Sequence, residues 1–262
     1  MAISDLKAFA RHAAETFSKD EQVLGLAAGG SWITGELDDY SDLDLVLVTQ
    51  ERIAPDLDAM RAVAGRLGTL LSSFLGDHVG EPRLLICLYD QPLLHIDLKF
   101  LTLPEFGQRV ENPVVLFERE QALSGVLAAA EAHFPQPDFQ WLEDRFWVWV
   151  HYGAGKIGRG EYLEALDFLS FLRQVVLGPL LHLAHGSQPR GVRNLEKRLP
   201  ADALARLHAT VALPERSSLL RALGAGVEQY EALSAGLYPP GVRRRTEARR
   251  AALAYLSRIA GA

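Results

Sequence analysis

The stretch that decides the fold runs from residue 28 to residue 45 and reads Ala-Gly-Gly-Ser-Trp-Ile-Thr-Gly-Glu-Leu-Asp-Asp-Tyr-Ser-Asp-Leu-Asp-Leu. A turn of small residues at its start is followed, ten residues later, by Asp42-Leu43-Asp44 and an apolar run. Because side chains alternate along a strand, Asp42 and Asp44 are predicted to share one face while Leu43 and the leucines after it occupy the other.

These residue types favour phosphate chemistry. Two carboxylates on one strand face lie about 7 Å apart, from a rise of ~3.3 Å per residue, and can share hard divalent cations. Glycines carry no Cβ, so the backbone N–H groups of the turn can approach a phosphate closely. An Asp-x-Asp pair alone would also fit a turn cap followed by a surface residue of an edge strand. Its spacing from the glycine turn favours phosphoryl or nucleotidyl transfer.

The segment resembles the signature of the nucleotidyltransferase superfamily, the polymerase-beta-like fold, in which Gly-Ser precedes Asp-x-Asp by about ten residues. Here ten residues separate Gly30-Ser31 from Asp42-Leu43-Asp44. The resemblance implies that Gly29, Gly30 and Ser31 bind a nucleotide, and that Asp42 and Asp44 are catalytic and ligate metal. It also implies ATP as the substrate and Mg²⁺, two ions in all, as the cofactor.

A third acid is expected from a later strand, His-Ile-Asp-Leu-Lys-Phe at residues 95–100, whose alternation points His95, Asp97 and Lys99 away from the core. In the superfamily a third acid on a neighbouring strand joins the Asp-x-Asp pair, so the resemblance implies that Asp97 is catalytic, as a metal ligand or as the base. The alternative is a polar strand face on which His95 and Lys99 neutralise Asp97.

A break in the pattern divides the chain. Residues 134–138 read Phe-Pro-Gln-Pro-Asp, and beyond them the apolar period becomes helical. We therefore predict an α+β protein. Residues 1–136 form a nucleotidyltransferase catalytic domain with a mixed sheet flanked by helices, and residues 137–262 form an all-α helical bundle that borders the nucleotide and acceptor cleft.

The expected elements follow from periodicity and turn residues. In the first part we expect strands at 23–28, 43–49, 83–89, 94–103 and 112–117, and helices at 4–18, 31–37 and 55–74. In the second part we expect helices at 139–153, 161–177, 190–199, 201–211, 217–233 and 247–259. Gly178-Pro179 is predicted to kink or end the helix that begins at residue 161, with residues 180–184 as its continuation if it is only kinked.

The helical part carries its own resemblance. Residues 146–167 contain an aromatic helix followed by Ala-x-Lys, a basic residue, Glu and Ala-Leu-Asp, and this order is similar to the helical domain of aminoglycoside 6-adenylyltransferases. The resemblance implies that Lys156 contacts the triphosphate and that Glu161 and Glu164 bind the acceptor. A surface lysine and a solvated acidic helix face are the alternatives. The chain departs from the family at Leu180-Leu181-His182-Leu183, so ATP use is implied more than streptomycin as acceptor.

Composition excludes several other classes of protein. A net charge of −6 argues against a protein that coats nucleic acid. The single cysteine, Cys87, rules out an internal disulfide or a cysteine-rich zinc site and is expected as a buried strand thiol. No apolar run approaches the ~18 residues of a membrane helix, and the first residues lack a secretory pattern. We expect a cytoplasmic monomer or homodimer.

Together these expectations give a metal-dependent nucleotidyltransferase that moves AMP from ATP to a hydroxyl group of a small molecule. The resemblance extends to an aminoglycoside-like antibiotic as acceptor, and hence to antibiotic resistance. The alternative is a catalytically weak or regulatory module of the same fold, such as an antitoxin-like binding protein. Polymerase-like action on nucleic acid is disfavoured by the negative charge.

Overall fold

The computed structural model describes residues 2–261 and divides the chain into two compact units, Met1–Phe134 and Pro135–Ala262. The first unit contains a sheet with helices, and the described part of the second is helical. The α+β class is therefore confirmed. The catalytic and acceptor roles assigned to the two parts stay predictions.

The first unit contains both strands and helices. Its strands are β1 Val23–Ala28, β2 Leu43–Thr49, β3 Thr69–Gly76, β4 Glu81–Asp90, β5 Leu94–Thr102 and β6 Val114–Glu118. Its helices are α1 Ile3–Phe17, α2 Ser31–Thr34, α3 Leu57–Ala64, α4 Leu103–Phe106 and α5 Ala122–Ala129.

The six strands form one mixed sheet in the order β3-β4-β5-β2-β1-β6. All neighbouring pairs are antiparallel except β2 and β5, which run parallel in the middle of the sheet. Parallel pairing needs a crossover, and here the segment that contains α3 and the β3–β4 pair provides it. The central position of β2 therefore depends on residues far along the chain.

The two faces of the sheet are covered differently. The face that carries Leu43, Leu45 and Leu47 packs against α1 and α3 in the larger apolar core of this unit. The opposite face packs Val48 and Leu101 against α4 and α5. Because side chains alternate, residues 44 and 46 of β2 and residues 97 and 99 of β5 lie on this second face. That part of the sheet holds the candidate site.

The predicted helix at 55–74 is wrong in its second half. The helix α3 ends at Ala64, and β3 begins at Thr69 and pairs with β4. Gly68, between them, has φ 153° and ψ −169°, a conformation that side chains disfavour, and it turns the chain from helix to strand. Leu71 and Phe74, which helical spacing would place in the core, are half exposed on this edge strand. A short apolar run fits both the helical and the strand period, and here the pairing of β3 with β4 favours the strand.

The second unit contains seven helices within residues 135–261. They are α6 Phe139–Gly158, α7 Tyr162–Leu172, α8 Gly178–Ala184, α9 Leu195–Arg198, α10 Ala201–His208, α11 Arg216–Leu237 and α12 Thr246–Gly261. The helix expected at 190–199 is reduced to α9, because Gly191 and Asn194 have positive φ values of 64° and 60° that interrupt it.

Gly178-Pro179 does not end its helix. A π-helical turn at Arg173–Leu177 joins α7 to α8, so that residues 162–184 form one continuous helix. Proline lacks the N–H that a regular turn would use, and the wider turn lies just before it. This helix is long and apolar enough to cross a membrane by length and composition, but 56% of its most apolar window is buried in the structure, as in a core helix.

A buried carboxylate in this unit links its first helix, α6, to α11 and to the segment before α12. Glu143 on α6 is 2% exposed and accepts hydrogen bonds from Trp147 Nε1 (3.2 Å), Tyr230 Oη (2.7 Å), Arg244 Nη1 (2.9 Å) and the backbone N–H of Arg245 (2.9 Å). Burial opposes its ionisation, but the hydrogen bonds it accepts, that from the Arg245 backbone foremost, outweigh burial and lower its pKa. This charge ties α6 and α11 to the chain before α12.

Candidate active site

Two of the predicted acids lie side by side on the second sheet face, the one that also packs against α4 and α5. Asp44 of β2 is the register partner of Asp97 of β5, and both side chains are half buried. Neighbouring strands lie about 4.8 Å apart, so in-register residues on one face place their carboxylates close together. The parallel pairing of β2 and β5 brings together two acids that are distant in sequence.

The glycine turn lies directly against Asp44. The backbone N–H of Gly29 donates to the backbone oxygen of Asp44 at 2.9 Å. Gly30 has φ 56° and ψ −135°, and a Cβ at this position would lie 2.0 Å from Asp44 Oδ2. Only glycine fits there. Ser31 follows as the first residue of the single-turn helix α2, which ends at Thr34 rather than at residue 37.

A cavity of about 260 Å³ opens at this place in the first unit. Its walls come from the end of β1, from β2, β4 and β5, and from the segment between α4 and β6. The lining residues are Gly29, Asp44, Leu45, Val46, Glu81, Leu84, Asp97, Lys99, Leu101, Phe106, Gln108, Arg109, Val110, Glu111 and Pro113. The cavity thus joins the glycine turn, the two paired aspartates and two further acids.

Glu111 is a site residue that sequence reasoning missed. Its Oε1 accepts the backbone N–H of Gly30 at 2.8 Å, and a Cβ on Gly29 would lie 3.1 Å from the same oxygen. Glu111 stands three residues before β6, which pairs with β1 beside the glycine turn. The only sequence signal was the expected strand at 112–117, and nothing in the pattern showed that it would join the sheet next to β1.

The other acids of the cavity differ in their partners. His95 Nε2 lies 3.1 Å from Asp97 Oδ1, while Lys99 Nζ pairs with Glu81 at 2.7 Å. Arg83 also binds Glu81 at 2.7 Å. Burial opposes ionisation of Glu81, but hydrogen bonds from Arg83 and Lys99 outweigh it and lower the pKa of Glu81 to about 2. Glu81 is therefore ionised and committed to two cations.

Asp42 takes a different position from its predicted partners. It is half buried and lies one residue before β2, outside the lining of the cavity that holds Asp44 and Asp97. Within residues 2–261 no three His, Cys, Asp or Glu side chains are grouped closely enough to hold a metal ion. The role of Asp42, Asp44 and Asp97 as a three-ligand metal set stays a prediction.

The predicted site residues of the second unit form one cluster. Lys156 Nζ lies 2.6 Å from Glu161 Oε2 and 2.8 Å from Glu164 Oε1, and Tyr152 Oη donates to Glu164. The hydrogen bonds to Glu161 and Glu164 raise the pKa of Lys156, so it is a permanent cation. Within this unit, the residue predicted to bind nucleotide is thus held by the two residues predicted to bind the acceptor.

Cys87 is confirmed as a buried strand thiol. Burial raises the pKa of the thiol to about 12. A thiol that stays protonated at neutral pH is a poor nucleophile, so Cys87 is excluded from covalent catalysis.

Three solved structures to which this chain is similar are distant from it in sequence. An aminoglycoside 6-adenyltransferase from Bacillus subtilis is 15% identical, with a TM-score of 0.40 over 99% of this chain and 98% of that one. A nucleotidyltransferase-like protein from Exiguobacterium sibiricum is 15% identical, with a TM-score of 0.42 over 87% and 77%. Spectinomycin adenyltransferase from Enterococcus faecialis, solved with ATP and spectinomycin, is 12% identical, with a TM-score of 0.32 over 97% and 99%.

By their descriptions, these structures belong to the class of protein that the sequence resembles. At such identities and TM-scores they are too distant to assign an activity to this chain. No family model matches the sequence, and no curated protein matches it.

Proposed function

We propose that this chain is a metal-dependent nucleotidyltransferase that moves AMP from ATP to a hydroxyl group of a small molecule. The observation that carries the proposal is the pairing of Asp44 with Asp97 on one sheet face, with the Gly29-Gly30 turn packed against Asp44. Phosphate binding needs N–H groups that no Cβ shields, and phosphoryl chemistry needs carboxylates beside them. The first unit supplies both in one cavity.

The donor set fits a hard cation. Carboxylate oxygens are the ligands that Mg²⁺ prefers, and Asp44 and Asp97 present them from adjacent strands. In this proposal these two residues hold the metal together with Asp42, which lies just before β2 and outside the cavity that they line. When bound, Mg²⁺ neutralises phosphate charge and lowers the pKa of a coordinated hydroxyl. The proposal includes two Mg²⁺ ions, and it is tested by measuring how many metal ions bind to each protein molecule.

The residues of the chain then have separate tasks. The N–H group of Gly30 binds a phosphate oxygen and helps to fix the position of the α-phosphorus. The acceptor oxygen forms a bond to the α-phosphorus, the bond from that phosphorus to the bridging oxygen breaks, and pyrophosphate leaves. The hydroxyl proton passes to a carboxylate, for which Asp97 is the candidate unless it is the third metal ligand. His95, within hydrogen-bond distance, would orient Asp97.

The acceptor class rests on the sequence resemblance. An aminoglycoside-like polycation would suit acidic residues, and Glu161 and Glu164 remain the proposed acceptor-binding residues. Both already bind Lys156, so a cationic acceptor would have to compete with that ammonium group. Lys156 itself remains the proposed triphosphate contact of the second unit.

The proposal is tested by label transfer. The protein is incubated with ATP labelled at the α-phosphate and a panel of hydroxylated small molecules, aminoglycosides among them, with Mg²⁺ or with EDTA. Label should pass to at least one acceptor, with release of pyrophosphate, only when Mg²⁺ is present. Transfer that continues in EDTA, or no transfer to any member of a broad panel despite ATP binding, would contradict it.

A further inference from the structure

The Glu111 carboxylate accepts a hydrogen bond from the Gly30 N–H, the donor that a nucleotide phosphate would use in the proposed function. Its Oε1 lies 2.8 Å from the Gly30 nitrogen and faces the place where a Cβ on Gly29 would be. A carboxylate oxygen and a phosphate oxygen make the same charge-assisted hydrogen bond to a backbone N–H. The glycine turn therefore already binds an anion, and that anion is part of the chain.

Charge makes this contact unfavourable for an incoming nucleotide. Four carboxylates line this cavity, and Glu81 is paired with Arg83 and Lys99. Asp44, Asp97 and Glu111 therefore remain to repel the phosphates. Asp44 and Asp97 are the proposed metal ligands, so the metal compensates their charge when the nucleotide is bound. Glu111 binds the amide instead and would meet a phosphate oxygen directly.

The backbone around Glu111 is held in place. Arg109 donates through Nε to Asn112 Oδ1 at 2.7 Å and through Nη2 to the backbone oxygens of Leu127 and Ala130. Pro113 is buried. The segment is thus anchored on both sides of Glu111, and the carboxylate can leave the Gly30 amide by rotation about its own side-chain bonds.

We propose that Glu111 is an internal competitor for the phosphate site, which binds the Gly30 amide in the free protein and is displaced when a nucleoside triphosphate binds. This inference rests on the proposed function, because it assumes that phosphates bind at the turn. It makes Glu111 a residue that sets nucleotide affinity, distinct from the acids that take part in chemistry.

The first test measures affinity by calorimetry in Mg²⁺ for ATP, tripolyphosphate and adenosine. Glu111→Ala should lower the Kd for ATP and for tripolyphosphate about tenfold, the scale of one charge-assisted hydrogen bond. Glu111→Gln, which keeps a neutral acceptor, should give a smaller gain. Adenosine lacks phosphates, so its Kd should not change. Glu131→Gln is the matched control, because it removes one exposed negative charge of the same unit outside the cavity.

The second test follows the Gly30 amide by NMR. Without ligand, its resonance should differ between the wild type and Glu111→Gln and should be unchanged in Glu131→Gln. At saturating MgATP the wild-type and Glu111→Gln resonances should converge, because Glu111 has then left the amide. Resonances that remain apart would show that Glu111 stays bound and would overturn the inference.

The remaining outcomes separate the inference from the proposed function. If ATP binds the wild type and the Glu111 variants bind it equally or more weakly, the competitor role is refuted and the proposed function stands. If neither ATP nor tripolyphosphate binds the wild type or any variant, the proposed function is refuted and the inference falls with it.

Discussion

The two units hold their acids in opposite ways. In the second unit, Glu143 is 2% exposed and accepts four hydrogen bonds, including one from Arg244, and its pKa is lowered. In the first unit, Asp44 and Asp97 are half buried, face a cavity and stand side by side on parallel strands.

This contrast separates a structural carboxylate from a candidate catalytic one. A buried charge is tolerated only when donors compensate its desolvation, as they do around Glu143. Two carboxylates placed side by side repel each other, and a fold keeps such a pair where a cation or a reaction makes use of it. Substitutions at Glu143 should therefore act on stability, whereas substitutions at Asp44 and Asp97 should act on turnover.

The largest effect is expected for Asp44→Asn. If Asp44 holds the metal as proposed, removing its carboxylate without changing the shape of the side chain should lower transfer by ~10³-fold or more, equivalent to about 4 kcal/mol of transition-state stabilisation. The core side of β2 is untouched, so the urea midpoint should stay near that of the wild type. Initial rates at saturating ATP measure the loss. A variant that retains near wild-type turnover in Mg²⁺ would contradict the metal assignment.

The converse is expected for Glu143→Gln. A glutamine cannot accept all four hydrogen bonds, and Arg244 loses its countercharge, so the free energy of unfolding should fall by about 3 kcal/mol. Urea denaturation followed by circular dichroism measures this. The rate per folded molecule should stay within about twofold of the wild type. A stable variant that has lost turnover would move Glu143 into the catalytic group.

Asp97→Ala distinguishes the two interpretations of the third acid. If Asp97 is the base or a metal ligand, turnover should fall by ~10²-fold or more, with little change in ATP affinity. If it only pairs with His95, the change should cost under ~1 kcal/mol of stability and leave turnover alone. Single-turnover kinetics at saturating ATP separates the two. His95→Gln is the matched control for the pairing alone.

The smallest effect concerns Glu81 and acid stability. The pKa of Glu81 is about 2 in the folded protein against a reference value of 4.5, so its contribution is complete above pH 4.5 and is lost as the pH falls towards 2. After allowance for solvent screening we expect a loss of about 2 kcal/mol across this window. Glu81→Gln should flatten the pH dependence of unfolding there. An unchanged slope would show that Arg83 and Lys99 stabilise the fold through other groups.

Local patterns predicted the centre of the first unit well. The bounds of β1 and β2 agree with the expected 23–28 and 43–49, because alternation and the glycine turn leave little choice there. The placement of Asp97 on a strand beside β2 also agrees with the structure. What the sequence did not show are features that arise from non-local pairing.

Three features illustrate this limit. The strand β3 was predicted as the end of a helix, since its leucines fit both periods until β4 is present to pair with them. Glu111 reaches the glycine turn only because β6 joins β1. Three of the four donors around Glu143 come from α11 and from the chain before α12, far from it in sequence. None of these contacts has a short-range signature.

The parallel pairing of β2 with β5 has a consequence for the order of folding. Asp44 and Asp97 become neighbours only when the long segment between them, which contains the β3–β4 pair, is closed as a loop. Closing such a long loop costs entropy before the contact forms, so this pairing is expected among the late events. A chain that is only partly folded would therefore contain both aspartates but would not hold them together in one site. If ATP binds at this site as proposed, its binding would report completion of the sheet, and ATP would favour the finished fold over its precursors.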